Sequence, residues 1–137
     1  MATIHHDIPL DAPAADVWDA VRDFGAVHER LAPGFVTACA IDGDARVVTF
    51  ANGVVAREML VDCDETRRRL VYAISNERVT HYNASVQVIA DGEAKCRLLW
   101  TIDLLPNAFG PYVEDRTKQA VLAMHKAFPP ATIRTPV

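Results

Sequence analysis

"HYNASVQVIADGEAKCRLLWTIDLLP", residues 81–106, is the stretch that decides the fold. In its first arm Tyr82, Ala84, Val86 and Val88 alternate with Asn83, Ser85 and Gln87. In its second arm Leu98, Trp100, Ile102 and Leu104 alternate with Arg97, Thr101 and Asp103, and Leu99 is the exception. Successive strand side chains point to opposite faces, so this pattern predicts two strands, each with one apolar and one polar face. Asp91-Gly92 between them is a strong hairpin pair. Such strands belong to an antiparallel sheet with one face in water and the other covered.

The cover comes from downstream. Pro106 ends the second arm, and Pro111 to Phe128 reads as the longest helix of the chain. Val113, Thr117, Ala120, Val121, Met124 and Phe128 form its apolar stripe, with Glu114, Arg116, Lys118, Gln119 and Lys126 on the polar side.

Upstream, Thr3 to Leu10 alternates as a strand, with Ile4, His6, Ile8 and Leu10 on one face. "DAPAADVWDAVRDFG" (11–25) follows as a helix, with Pro13 in the first turn, Gly25 as the stop, and Val17, Trp18, Val21 and Phe24 as its stripe. Trp18 is expected in the core. A second short helix, "AVHERLA" (26–32), ends before Pro33-Gly34. Strands then run over Phe35–Ile41, Arg46–Phe50, Val54–Cys63 and Leu70–Ser75, separated by "DGD", "ANG" and "DET". Strands in a run with helices gathered elsewhere indicate α+β. The expected architecture is a curved antiparallel sheet of about seven strands wrapped around the long helix, with room for a cavity between them.

Composition narrows the function. The chain has 137 residues, half of them hydrophobic and 23% charged, which suits a single domain over 1–137 with a core from about 3 to 128. The ending "PPATIRTPV" is Pro-rich and expected to fray. Net charge is −4 and there is no basic stripe, which argues against nucleic acid as a partner. Arg67-Arg68-Arg69 follows Asp64 and Glu65 and reads as a solvated turn. Cys39, Cys63 and Cys96 form no disulfide framework, consistent with a cytoplasmic location. The start "MATIHHDIPLD" has no signal-peptide pattern, and no apolar run nears the roughly 18 residues of a membrane span. His5 and His6 are adjacent in a strand and point apart, while His28, His81 and His125 lie in separate elements. No metal and no other cofactor is therefore expected. Neither a Gly-rich phosphate loop nor a Gly-x-Ser-x-Gly elbow is present.

Two segments carry a family likeness. "IPLDAPAADVWDAVRDF" (8–24) resembles the N-terminal pattern of the START-like superfamily, in which a strand leads through a small-Pro segment into a helix bearing Val-Trp. "REMLVDCDETRRRLVYAI" (57–74) is similar to that superfamily's mid-sheet pattern of a glutamate, an acidic turn six residues on, and an Arg-Leu-x-Tyr strand. The likeness is to the polyketide cyclase/dehydrase-like branch and runs from about Thr3 to Phe128. It implies the helix-grip fold, either a monomer or a homodimer, and a small hydrophobic or aromatic molecule bound between sheet and helix. Cyclase/dehydratase-like chemistry is one expectation. The alternatives are a non-catalytic carrier or sensor of lipids or other ligands, and a protein-interaction module of the chaperone-activator type. Fold alone does not choose among them.

The candidate site turns on Arg57 and Glu58, which must face opposite ways in their strand. If Asn52-Gly53 is a two-residue turn, Val48 stands opposite Arg57 and Glu58 is solvated. If Ala51-Asn52-Gly53 is a three-residue loop with Gly53 left-handed, Phe50 pairs with Val54, and Arg46 stands opposite an inward Glu58. The residues leave both open, and the resemblance favours the second. Glu58 would then be the acid-base group, its pKa raised by a dry pocket, with Tyr72 and Tyr82 as phenolic donors. Arg46, Val48, Phe50 and Leu60 would line the pocket beside it, with Ile74 and Ala84 from the next strands. Trp100 and Ile102 would contribute from the last strand, and Phe109, Tyr112 and Val113 from the entry to the long helix. The opposing reading is a filled core in which these groups merely satisfy one another.

Overall fold

A computed structural model describes residues 2–129 of the chain, so the end of the Pro-rich tail lies outside the described residues. Strand β1 (Ala2–Leu10) leads into helix α1 (Ala14–Arg22), a 3-10 turn (Phe24–Ala26) and the single-turn helix α2 (Val27–Arg30). Strands β2 (Val36–Asp42), β3 (Ala45–Phe50), β4 (Val55–Asp64), β5 (Arg69–Ile74), β6 (His81–Ala90) and β7 (Cys96–Leu105) follow, and then helix α3 (Gly110–Ala127). All seven strands form one antiparallel sheet in the order β1-β7-β6-β5-β4-β3-β2.

The alternating hairpin is β6–β7. Its apolar residues pair with one another across the ladder, Tyr82 with Leu104, Ala84 with Ile102 and Val86 with Trp100. The connection is longer than the Asp91-Gly92 pair suggests. Ala90 pairs with Cys96, and the Asp91 N–H donates to the Lys95 carbonyl, so five residues form the loop. Gly92 supplies the positive φ that this loop requires.

Gly25 has a different job from the expected helix stop. α1 already ends at Arg22, and a Cβ on Gly25 would lie 3.0 Å from Ile41 Cγ1 on β2. The glycine lets the 3-10 turn approach the sheet.

The concave face of the sheet holds the core. Ile8, Leu70, Val88 and Leu98 are buried there beside Val17, Trp18 and Val21 of α1. α1 lies on β6 and β7, α2 lies on β2, and α3 packs on β1 at the sheet's edge. Trp18 is core as expected, and its indole N–H donates to Glu65.

Candidate functional site

The β3–β4 connection sets the register of the site. The Phe50 N–H donates to the Val54 carbonyl, the Gly53 N–H donates to the Phe50 carbonyl, and Gly53 has φ +87°. This is the three-residue loop, in which only a left-handed residue closes the hairpin without strain. Arg46 therefore pairs with Glu58, and both side chains point into the concave face, each 6% exposed. Arg57 points the other way and meets Asp42 on the outer surface.

Arg46 is held on several sides. Its Nε donates to Glu58 Oε1 at 2.7 Å and its Nη1 to the Phe24 carbonyl at 3.2 Å. Its guanidinium also lies 4.1 Å from the Phe24 ring centroid and 5.3 Å from that of Tyr72. A buried charge needs such compensation from its counter-ion, hydrogen bonds and aromatic faces. Among the described residues no group donates to the second Glu58 oxygen.

Around this pair opens a cavity of about 810 Å³. Its inner wall is formed by Val27, Leu31 and Ala32 near α2, by Val48, Ala56, Tyr72 and Val86 of the sheet, and by Val113, Thr117, Ala120 and Met124 of α3. The hollow follows from the placement of α3: the helix packs chiefly on β1 and leaves the concave faces of β3 to β5 only lightly covered by helix. Its exposed rim carries Asn52 and Gly53 of the β3–β4 loop, Asn76, Glu77 and Arg78 of the β5–β6 loop, and Tyr112 of α3. Asn52 Nδ2 donates to the Tyr112 hydroxyl at 3.4 Å, and Tyr112 stacks on Phe109 at 5.1 Å.

Most of the expected site residues meet at this hollow. Glu58, Tyr72, Tyr82, Arg46, Val48, Phe50, Ile74, Trp100, Phe109, Tyr112 and Val113 all line it. Leu60, Ala84 and Ile102 do not. Leu60 lies two residues beyond Glu58 on β4, opposite Tyr72, and rests against the packed core. Ala84 shares its row with the larger Tyr72 and Ile102, which leave its methyl fully covered. Ile102 is fully buried between Ile4 and Ala84 of the neighbouring strands.

Several lining residues lie outside the expected set, and Arg116 is the most informative of them. Arg116 was assigned to the polar side of the long helix, yet it faces the hollow with Val113 and Ala120. The i, i+3, i+4 spacing of 113, 116, 117 and 120 is the signal that places it there. Phe35 and Leu31, the rim loop 76–79, and Asn52 come from connections whose packing is not local in sequence.

Burial raises the pKa of both cavity phenols. For Tyr72 the nearby Glu58 carboxylate adds to the effect, and for Tyr82 so do Tyr72 and then Glu58. Both hydroxyls thus remain protonated donors. The buried Trp100 indole N–H lies beside the Tyr72 hydroxyl and partly opposes the rise in its pKa. At the edge of the site His6 Nε2 lies 2.7 Å from Thr117 Oγ1, and the Thr117 hydroxyl donates to the Glu114 carbonyl. Thr117 has one proton and has given it away, so His6 must donate through Nε2–H. Among the described residues no three His, Cys, Asp or Glu gather into a metal-binding group, and no helix is long and apolar enough to cross a membrane.

The same frame occurs in other solved proteins. A protein from Thermobifida fusca shares 29% identity with a TM-score of 0.75, over 93% of this chain and 91% of that one. Truncated norcoclaurine synthase from Thalictrum flavum shares 22% identity with a TM-score of 0.72, over 98% and 95%. A START superfamily protein from Mycobacterium smegmatis shares 16% identity with a TM-score of 0.68, over 91% and 92%. These likenesses establish the helix-grip fold. No curated protein matches the sequence. Residues 1–128 match the family described as polyketide cyclase / dehydrase and lipid transport, and the chain belongs to that family.

Proposed function

We propose that the protein binds a small hydrophobic or aromatic molecule in the hollow between the sheet and α3. The observation that carries this reading is the cavity itself: about 810 Å³, with a largely apolar inner wall and a few polar groups at fixed places. Pockets of this size and make-up suit molecules that bury most of their surface. An empty apolar space also has a stability cost, which a filled core would avoid. The interaction-module reading expects a collapsed cavity, so the open hollow speaks against it.

Heat denaturation against a panel of aromatic compounds and lipids tests the proposal. A ligand held at about a hundred times its Kd stabilises by about 2.7 kcal/mol, which raises Tm by several degrees. If no compound raises Tm and a neutral aromatic dye such as N-phenylnaphthylamine also fails to bind, the reading is wrong.

A catalytic reading is favoured by one specific feature. Glu58, Tyr72 and Tyr82 share the cavity wall, and both phenols are held as donors. Glu58 would take a proton from the carbon next to a carbonyl, and a phenol would donate to the developing enolate oxygen. General acid–base catalysis contributes about a hundredfold or more. Turnover of a polyketide-like carbonyl substrate that survived Glu58→Gln within about tenfold would exclude that role.

A further inference from the structure

Among the described residues, five charged side chains line the hollow: Arg46, Glu58, Glu77, Arg78 and Arg116. Arg46 and Glu58 neutralise each other. Glu77 and Arg78 are adjacent, exposed residues of the β5–β6 loop, where water screens them. Arg116 is left. It is half-buried on the cavity side of α3, and no carboxylate forms an ion pair with it among the described residues.

Among the described residues its aromatic contact is the Phe35 ring, 5.1 Å from the guanidinium carbon. A cation over a ring recovers part of the lost hydration but leaves the guanidinium donors open. The next turn of α3 towards its N-terminus carries the exposed Tyr112, so Arg116 stands between the rim and the inner wall. The chain as a whole carries −4, so an uncompensated cation at a part-buried apolar wall runs against the charge of the rest of the molecule. Guanidinium is a planar fork that matches acidic oxygens.

We infer that the ligand is an amphipathic anion, with an apolar or aromatic body in the hollow and an acidic oxygen group held by Arg116. The inference rests on the reading of the hollow as a ligand site, and adds the charge and its anchor.

Two dyes with nearly the same aromatic body separate the two claims. N-phenylnaphthylamine is neutral, and anilinonaphthalene sulfonate adds an acidic group. Binding of each is followed by fluorescence titration. The anionic dye should bind about tenfold more tightly, the size of one good charge-assisted hydrogen bond. Arg116→Gln should abolish that preference. Arg57→Gln, which removes the same charge from the outer face, should leave it within about twofold. Displacement of the anionic dye by a fatty acid or an aryl carboxylic acid, but not by the matching alcohol, supports the inference and tells which body the hollow takes. Equal affinity for the two dyes, or a preference that survives Arg116→Gln, overturns the inference while the neutral dye still reports the hollow. If neither dye binds, both readings fall.

Discussion

Two ends of one concave surface behave differently. At one end Ile8, Leu70, Val88 and Leu98 are almost fully buried in the core that α1 joins. At the other, Arg46, Val48, Glu58 and Tyr72 face a hollow. Neighbouring strands supply both ends, and the inward residues obey the same alternation. What differs is the layer above. α1 lies on β6 and β7, whereas α3 leans on β1 and covers the middle strands only lightly. The period of two decides which side chains face inward, and helix placement decides whether they touch anything.

The comparison breaks first at its packed end. Leu98 is fully buried. Leu98→Ala should cost about 2–5 kcal/mol in denaturant unfolding, the transfer term plus the new void. A loss under about 1 kcal/mol would show that this end is loose as well. Enlargement sharpens the contrast. Ala84 is sealed between Tyr72 and Ile102, so Ala84→Leu should cost about 1–3 kcal/mol through overpacking. Ala56 borders the hollow, so Ala56→Leu should cost less than about 1 kcal/mol and weaken binding of the neutral dye. Equal costs at the two alanines would mean that the hollow is not available space.

How much was legible in the sequence follows from the same contrast. The β6–β7 alternation is a local feature and carried the sheet, whereas the Arg46–Glu58 register hung on whether Gly53 was left-handed, which the residues left open and the resemblance favoured. Local pattern also yielded the position of α3 within a residue at each end. It could not tell Ala84, covered by larger neighbours, from Val86 two residues on, which meets the hollow. Nor could a polar-versus-apolar division of α3 find Arg116, because sorting by residue type sends every arginine to the surface, and only its spacing from Val113 and Ala120 puts it on the inward face. The rim loop 76–79 is brought to the site by the sheet's curvature, which no single segment encodes.

The smallest effect concerns the border between the ends. His6 stands on β1 opposite Trp100, with ring centroids 6.0 Å apart, and donates to Thr117 on α3. Burial holds its pKa below the ordinary 6.5, with His5 and Lys118 pushing the same way and Glu114 opposing them. Well above pH 6.5 the imidazole is neutral in both folded and unfolded chains, so it adds no pH dependence there. As the pH falls below that value, the unfolded chain takes up a proton that the folded state resists, and stability drops until the folded value is passed. His6→Gln keeps a donor for Thr117 and removes the titration. Urea unfolding near pH 7.5 and near pH 5.5 should therefore show a smaller loss of stability on acidification in the variant than in the parent chain. Equal losses would mean that the imidazole at this border is as well hydrated as one in water, and that the hollow reaches further under β1 than the packing of α3 implies.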